Sequence, residues 1–129
     1  MRRAPRKMPS MRSDASATAL SDIQHHIELA IVFTRGLTET EFKNDLRTVY
    51  AVTRCLEIIS EASRRVSEDI KNRHSSIPWK QIAGSGNVYR HDYEDVAAQM
   101  IWDTVQRALP ALKAMVAEEL ARRDEQRPQ

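Results

Sequence analysis

The chain has 129 residues, enough for one domain around one core, which argues against separate cofactor and substrate modules. Apolar residues make up 41%, charged residues 29% and aromatics 5%, with 3 Gly and 5 Pro, a balance that excludes collagen, full disorder and a turn-rich β barrel and leaves a mostly helical domain. The net charge of +2 is unevenly spread: Arg2, Arg3, Arg6, Lys7 and Arg12 precede Ser13 with no acid among them, so 15 bases against 18 acids leave the rest formally at −3, and any nucleic-acid contact must come from a local site.

Residues 1–17 read as a disordered basic leader, 18–122 as the helical domain and 123–129 as a polar tail. No apolar run approaches the ~20 residues that span a bilayer, and no hydrophobic segment follows the basic start, so neither membrane insertion nor secretion is expected. The lone Cys55, within an apolar helical stretch, reads as a reduced, buried thiol of a cytoplasmic protein.

Leu20, Ile23, Ile27, Ala30 or Ile31, and Thr34 recur at three- and four-residue steps, predicting a first helix that Gly36 stops. Thr38-Glu39-Thr40-Glu41 has the capping-box spacing and predicts a short helix through Phe42. From Asp45 to Lys71 there is no Gly or Pro, and Leu46, Val49, Tyr50, Thr53, Leu56, Ile59 or Ser60, Ser63 and Val66 fall on one face. That segment predicts a single spine of nearly 40 Å at about 1.5 Å per residue, with Ser60, Ala62 and Ser63 marking a close helix crossing.

Asn72 to Ser76 read as a loop and Pro78 as the first turn of the next helix. Gly84-Ser85-Gly86-Asn87 admits two readings, a turn or a helix whose small residues let another backbone come near. Asp95 is placed to cap a last helix, kinked at Pro110 and running on through Leu120. The fold class is all-α, a bundle of four or five helices.

The four histidines show no zinc-ligand spacing, so no metal and no cofactor is expected; His25 and His26 read as a boundary pair and His74 as surface. Phosphate-loop, nucleophile-elbow and dinucleotide signatures are lacking in the sequence. Chemistry concentrates in Gly86-Asn87-Val88-Tyr89-Arg90-His91-Asp92-Tyr93. An imidazole can take and return a proton near neutral pH, and an amide with a guanidinium can hold a phosphodiester, the equipment for metal-free RNA cleavage by the 2′-hydroxyl. The other reading is a polar helix end whose Tyr and His pack locally. Trp79 and Trp102 read as bundle anchors, and Glu57 and Glu61 as glutamates solvated or paired with Arg54 and Arg65, with Glu61 also within conceivable reach of His91.

Leu20-Ser21-Asp22-Ile23, Arg54 to Ala62, Ile77 to Gly84, His91-Asp92-Tyr93, Ile101-Trp102 and Leu109 to Leu112, in that order, resemble the HepT-like ribonucleases of the HEPN class over roughly residues 20–120. The resemblance implies a HEPN-like helical bundle and a toxin of a bacterial toxin–antitoxin pair that cleaves RNA without metal. It further implies a homodimer with its sites at a joint groove and a minimal nucleotidyltransferase as antitoxin. By the family pattern of Arg, four to six residues, His, any residue, Tyr, it assigns acid–base work to His91 and adenylate acceptance to Tyr93. Asn87 matches the Asn that usually follows the catalytic Arg. Gly86 stands where that Arg belongs; Arg90, or an Arg of the other subunit, is the substitute, and a catalytically silenced domain that binds nucleotide, RNA or the nucleotidyltransferase is the alternative.

Overall fold

The computed structural model describes residues 11–91 and 94–126, with the side chains of 11–14, 87–91 and 94 outside the description. Among these residues there is no strand. The order is α1 (Met11–Thr34), α2 (Glu39–Lys43), α3 (Leu46–Arg64), α4 (Glu68–Arg73), α5 (Trp79–His91) and α6 (Glu94–Asp103), then a π turn (Thr104–Ala108) leading directly into α7 (Leu109–Glu125). Four rods form the bundle: α1, α3, α5 and the continuous α6–π–α7 arm, with α2 and α4 as short connectors. This is the all-α HEPN-like architecture.

Apolar periodicity explains the assembly. Leu20, Ile23, Ile27 and Ala30 of α1 are fully buried and Thr34 nearly so, the stripe expected from their spacing. They face Val52, Leu56 and Ile59 of α3, while Leu112 and Val116 of α7 close the other side of α1. Gly36 adopts φ +78°, the left-handed conformation that ends α1 without side-chain strain. The Thr38 box then starts α2 with both halves formed, and Phe42 drops into the core against Trp102 at 5.3 Å between rings.

Several sequence expectations change. The single spine from Asp45 to Lys71 is two helices, because α3 stops at the Arg65 cap and Ser67 starts α4 by accepting the Ile70 amide. The break is fixed from outside: the Ser67 N–H donates to Ser16 Oγ at 3.0 Å, and Ser16, 1% exposed, lies on α1. Helix α1 accordingly extends back to Met11, into the segment read as leader, and α7 extends to Glu125, into the segment read as tail. The buried face of α3 is also rotated: Val52, Cys55 and Ala62 are inside, while Leu46 and Tyr50 are exposed. Finally, Asp95 lies inside α6 rather than at its cap.

The kink expected at Pro110 takes the form of the π turn just before it. Pro110 has no N–H to return to the preceding turn, and the helix widens so that the Leu109 N–H reaches the Thr104 carbonyl. Trp79 and Trp102 are half-buried against the core, as anchors should be. Cys55 is buried, and burial pushes its thiol pKa up, which keeps it protonated and inert.

The Gly84-Ser85-Gly86-Asn87 segment is helix, not turn. A Cβ at Gly84 would meet nothing within 4 Å, whereas one at Gly86 would sit 3.3 Å from Ser60 Oγ. Gly84→Ala should therefore raise unfolding stability by about 1 kcal/mol, the helix-propensity difference. Gly86→Ala should gain clearly less, because the new methyl presses on Ser60. Urea unfolding of the two variants side by side checks this.

Candidate active site at the end of α5

Helix α5 is carried on α3. Ser60 Oγ donates to the Ala83 carbonyl at 2.9 Å, and Arg64 Nη2 donates to the same oxygen at 2.7 Å. Ser60 and Arg64 are one turn apart on α3, so two donors from one face grip a single carbonyl of α5. Gly86, one turn beyond Ala83, completes the contact by presenting no side chain toward Ser60. Its small size thus relieves packing at this crossing.

The helix continues through His91, which puts positions 87 and 91 one turn apart on one face, about 6 Å along the axis. Asn87, Arg90 and His91 are placed by backbone only, their side chains lying outside the described residues, and Tyr93 lies outside them altogether. Beside Gly86, between α3 and α5, is a cavity of about 180 Å³ lined by Arg54, Glu57, Ile58, Ser60, Glu61, Arg64 and Gly86. Arg54 Nη1 lies 3.4 Å from Glu57 Oε2 and Arg65 Nε 3.7 Å from Glu61 Oε1, the pairing expected of these glutamates.

A second polar cluster lies at the α4–α7 corner, and spacing alone does not reveal it. Glu119, 3% exposed at its side chain, accepts from Arg73 Nε at 3.2 Å and Nη2 at 2.9 Å, and its Oε1 lies 2.7 Å from His74 Nε2. His74 is therefore not a surface residue: it is largely buried, held by Glu119, and its carbonyl takes the Trp79 indole N–H at 3.0 Å. The partners are more than forty residues apart, and only the register of α7 against α4 could have signalled them. Burial pushes the Glu119 carboxyl pKa up, but the hydrogen bonds from Arg73 and His74 outweigh it, so the net shift is downward. His26 Nδ1 lies 2.7 Å from the Asp22 carbonyl with His25 edge-on to it, a boundary pair.

Comparison with known proteins decides the family. A family profile described as ribonuclease HepT-like matches residues 23–119. The chain belongs to the HepT-like ribonuclease family. Among its relatives, the probable ribonuclease HepT of Thermococcus cleftensis is 40% identical over 94 residues, 73% of this chain and 86% of that one. A candidate RNase of Methanocaldococcus jannaschii is 35% identical over 73% of this chain and 78% of its own length. Another from Caldanaerobacter subterraneus is 33% identical over 77% and 88%. No solved structure matches at a significant level. The matched span of this HepT-like chain runs from α1 to Glu119, so the α3–α5 crossing and the Glu119 cluster both fall within it. No helix among the described residues is long and apolar enough to cross a membrane.

The Glu119 cluster makes a sign-definite prediction. Because the folded carboxyl titrates below its ordinary value of 4.5, the unfolded chain binds the proton first as pH falls. Stability from this cluster is complete above that ordinary value and drains away as pH drops below it toward the folded pKa. Glu119→Gln should flatten the acid limb of a stability–pH curve and lower stability at neutral pH, as measured by thermal unfolding between pH 3 and 7.

Proposed function

We propose that this HepT-like chain is a metal-independent endoribonuclease and the toxin of a toxin–antitoxin pair, with His91 as its acid–base residue. The observation that carries this reading is the unbroken course of α5 through Gly86 to His91, which sets positions 87 and 91 one turn apart just beyond the α3–α5 crossing. The names of its relatives as ribonucleases support RNA as substrate.

In this reading the 2′-hydroxyl of the nucleotide before the cleaved bond loses its proton to His91, and O2′ bonds to phosphorus. The P–O5′ bond breaks, and the proton returns from the imidazole to O5′, leaving a 2′,3′-cyclic phosphate and a free 5′-hydroxyl. Asn87 and Arg90 hold the phosphodiester oxygens. Two copies of the chain form a homodimer with their sites at a shared groove. The antitoxin is a minimal nucleotidyltransferase that transfers adenylate from ATP to the Tyr93 hydroxyl, releasing pyrophosphate and silencing the site.

Gly86 favours a second reading, a catalytically silenced domain that binds RNA or the nucleotidyltransferase without cleaving, since the position where the family pattern wants Arg carries no cation. Cleavage of single-stranded RNA in the presence of EDTA separates the two. The first reading expects cleavage that falls at least about 100-fold in His91→Ala, the lower range for loss of a general acid–base group. Cleavage that survives this change, or no cleavage from the purified wild-type chain, overturns it.

Modification is checked separately. Intact-mass measurement after incubation with the adjacent-gene nucleotidyltransferase and ATP should show added adenylate in the wild type and none in Tyr93→Phe. Adenylate that persists in Tyr93→Phe refutes the assignment.

A further inference from the structure

The charges around the α3–α5 cavity are not equivalent. Arg54 is paired with Glu57, and Glu61 faces Arg65. Arg64 differs: its partner is the neutral Ala83 carbonyl, and among the described residues no carboxylate lies within ion-pair distance of it. Most of its N–H donors thus remain without a protein partner there, on an exposed side chain whose position is set by the hydrogen bond to α5.

That position matters because of what the Ala83 carbonyl marks. In a helix it is level with the amide of residue 87, so the guanidinium is held at the height of Asn87, one turn and about 6 Å before His91. Gly86 and Arg64 line the same cavity of about 180 Å³ between α3 and α5, together with Glu57 and Glu61. Arg64 also lines a larger cavity of about 540 Å³ with Arg65, Arg73 and Arg123, so it stands between the motif helix and a second arginine-bearing hollow. A planar guanidinium anchored at one edge and open at the other is suited to a phosphodiester, which it can grip through two oxygens.

We infer that Arg64 is the phosphate-binding cation of the α5 site, delivered from α3 across the crossing rather than from α5 itself. The inference rests on the reading of the end of α5 as an RNA-cleaving site. Arg64 holds the phosphodiester next to His91 and takes up charge as the pentacoordinate phosphorus forms.

Two measurements test it. In the His91→Ala background, where RNA survives, the affinity for a short fluorescein-labelled single-stranded RNA is read by anisotropy across a salt series. Arg64→Ala should weaken binding about tenfold and reduce the salt slope by about 0.7, the value for one single-strand phosphate contact. Arg64→Lys should keep the salt slope and recover only part of the affinity. Arg47→Ala, the same charge change at the opposite, exposed end of α3, should change affinity less than twofold. In the otherwise wild-type chain, Arg64→Ala should lower the cleavage rate at saturating RNA at least tenfold, with the chain still cooperatively folded at the assay temperature by thermal unfolding.

Cleavage that depends on His91 while Arg64→Ala binds and cleaves like its parent overturns this inference alone and leaves the proposed function standing. Binding that falls equally for Arg64→Ala and Arg47→Ala reduces Arg64 to bulk charge and overturns it too. Absence of cleavage together with an Arg64-dependent loss of RNA binding overturns the nuclease reading and keeps Arg64 as the RNA contact.

Discussion

The close approach of α5 to α3 is the constraint on which the functional end of this molecule depends. Helices approach closely where small residues face each other, and here a hydroxyl adds a hydrogen bond across the contact. Ser60 supplies the hydroxyl, at 2.9 Å from the Ala83 carbonyl, and Gly86 supplies the empty side. A glycine inside a helix costs about 1 kcal/mol relative to alanine, and here the cost is tolerated at Gly86 because a methyl would push on Ser60. The crossing therefore explains why a polar segment with two glycines stays helical as far as His91.

A second fastening lies at the other end of α5. Glu119 on α7 draws Arg73 and His74 together, and His74 in turn accepts the Trp79 indole, so the end of α4, the start of α5 and the middle of α7 are tied at one corner. A carboxylate this buried is destabilising alone and becomes acceptable only with its hydrogen bonds made, which is why breaking one side of such a cluster costs about 3–5 kcal/mol. The benefit is register: α5 leaves this corner in one direction and, about one turn after Trp79, meets Ser60 with Ala83 in phase.

Local chemistry was legible in the sequence wherever it was self-contained. The α1 stripe, the Gly36 stop and the Thr38 capping box each depend on residues within four of one another, and each stands as its spacing predicts. The break between α3 and α4 was not legible, because it is decided by Ser16, fifty-one residues away from Ser67. His74 looked like a surface residue for the same reason, its partner being 45 residues distant. At the candidate site, motif spacing singles out Asn87, Arg90, His91 and Tyr93, but it looks only along α5; Arg64 belongs to another helix and comes into view through the Ala83 carbonyl.

Charge completes the argument. A body that is formally at −3 does not attract RNA from a distance, and beyond a Debye length of about 8–10 Å its paired arginines are close to neutral dipoles. Arg54, Arg65 and Arg73 each stand opposite a carboxylate, so binding a phosphate at any of them means displacing a partner. Arg64 exchanges nothing of that kind, since a carbonyl with a second donor, Ser60, keeps its hydrogen bond if the guanidinium turns. Near the α3–α5 crossing and the α4–α7 corner, carboxylates thus hold Arg54, Arg65 and Arg73, while Arg64, beside the helix that carries His91, has none within ion-pair distance among the described residues. The RNA contact inferred for Arg64 is accordingly a short-range one at that helix and does not rely on accumulation over the whole surface.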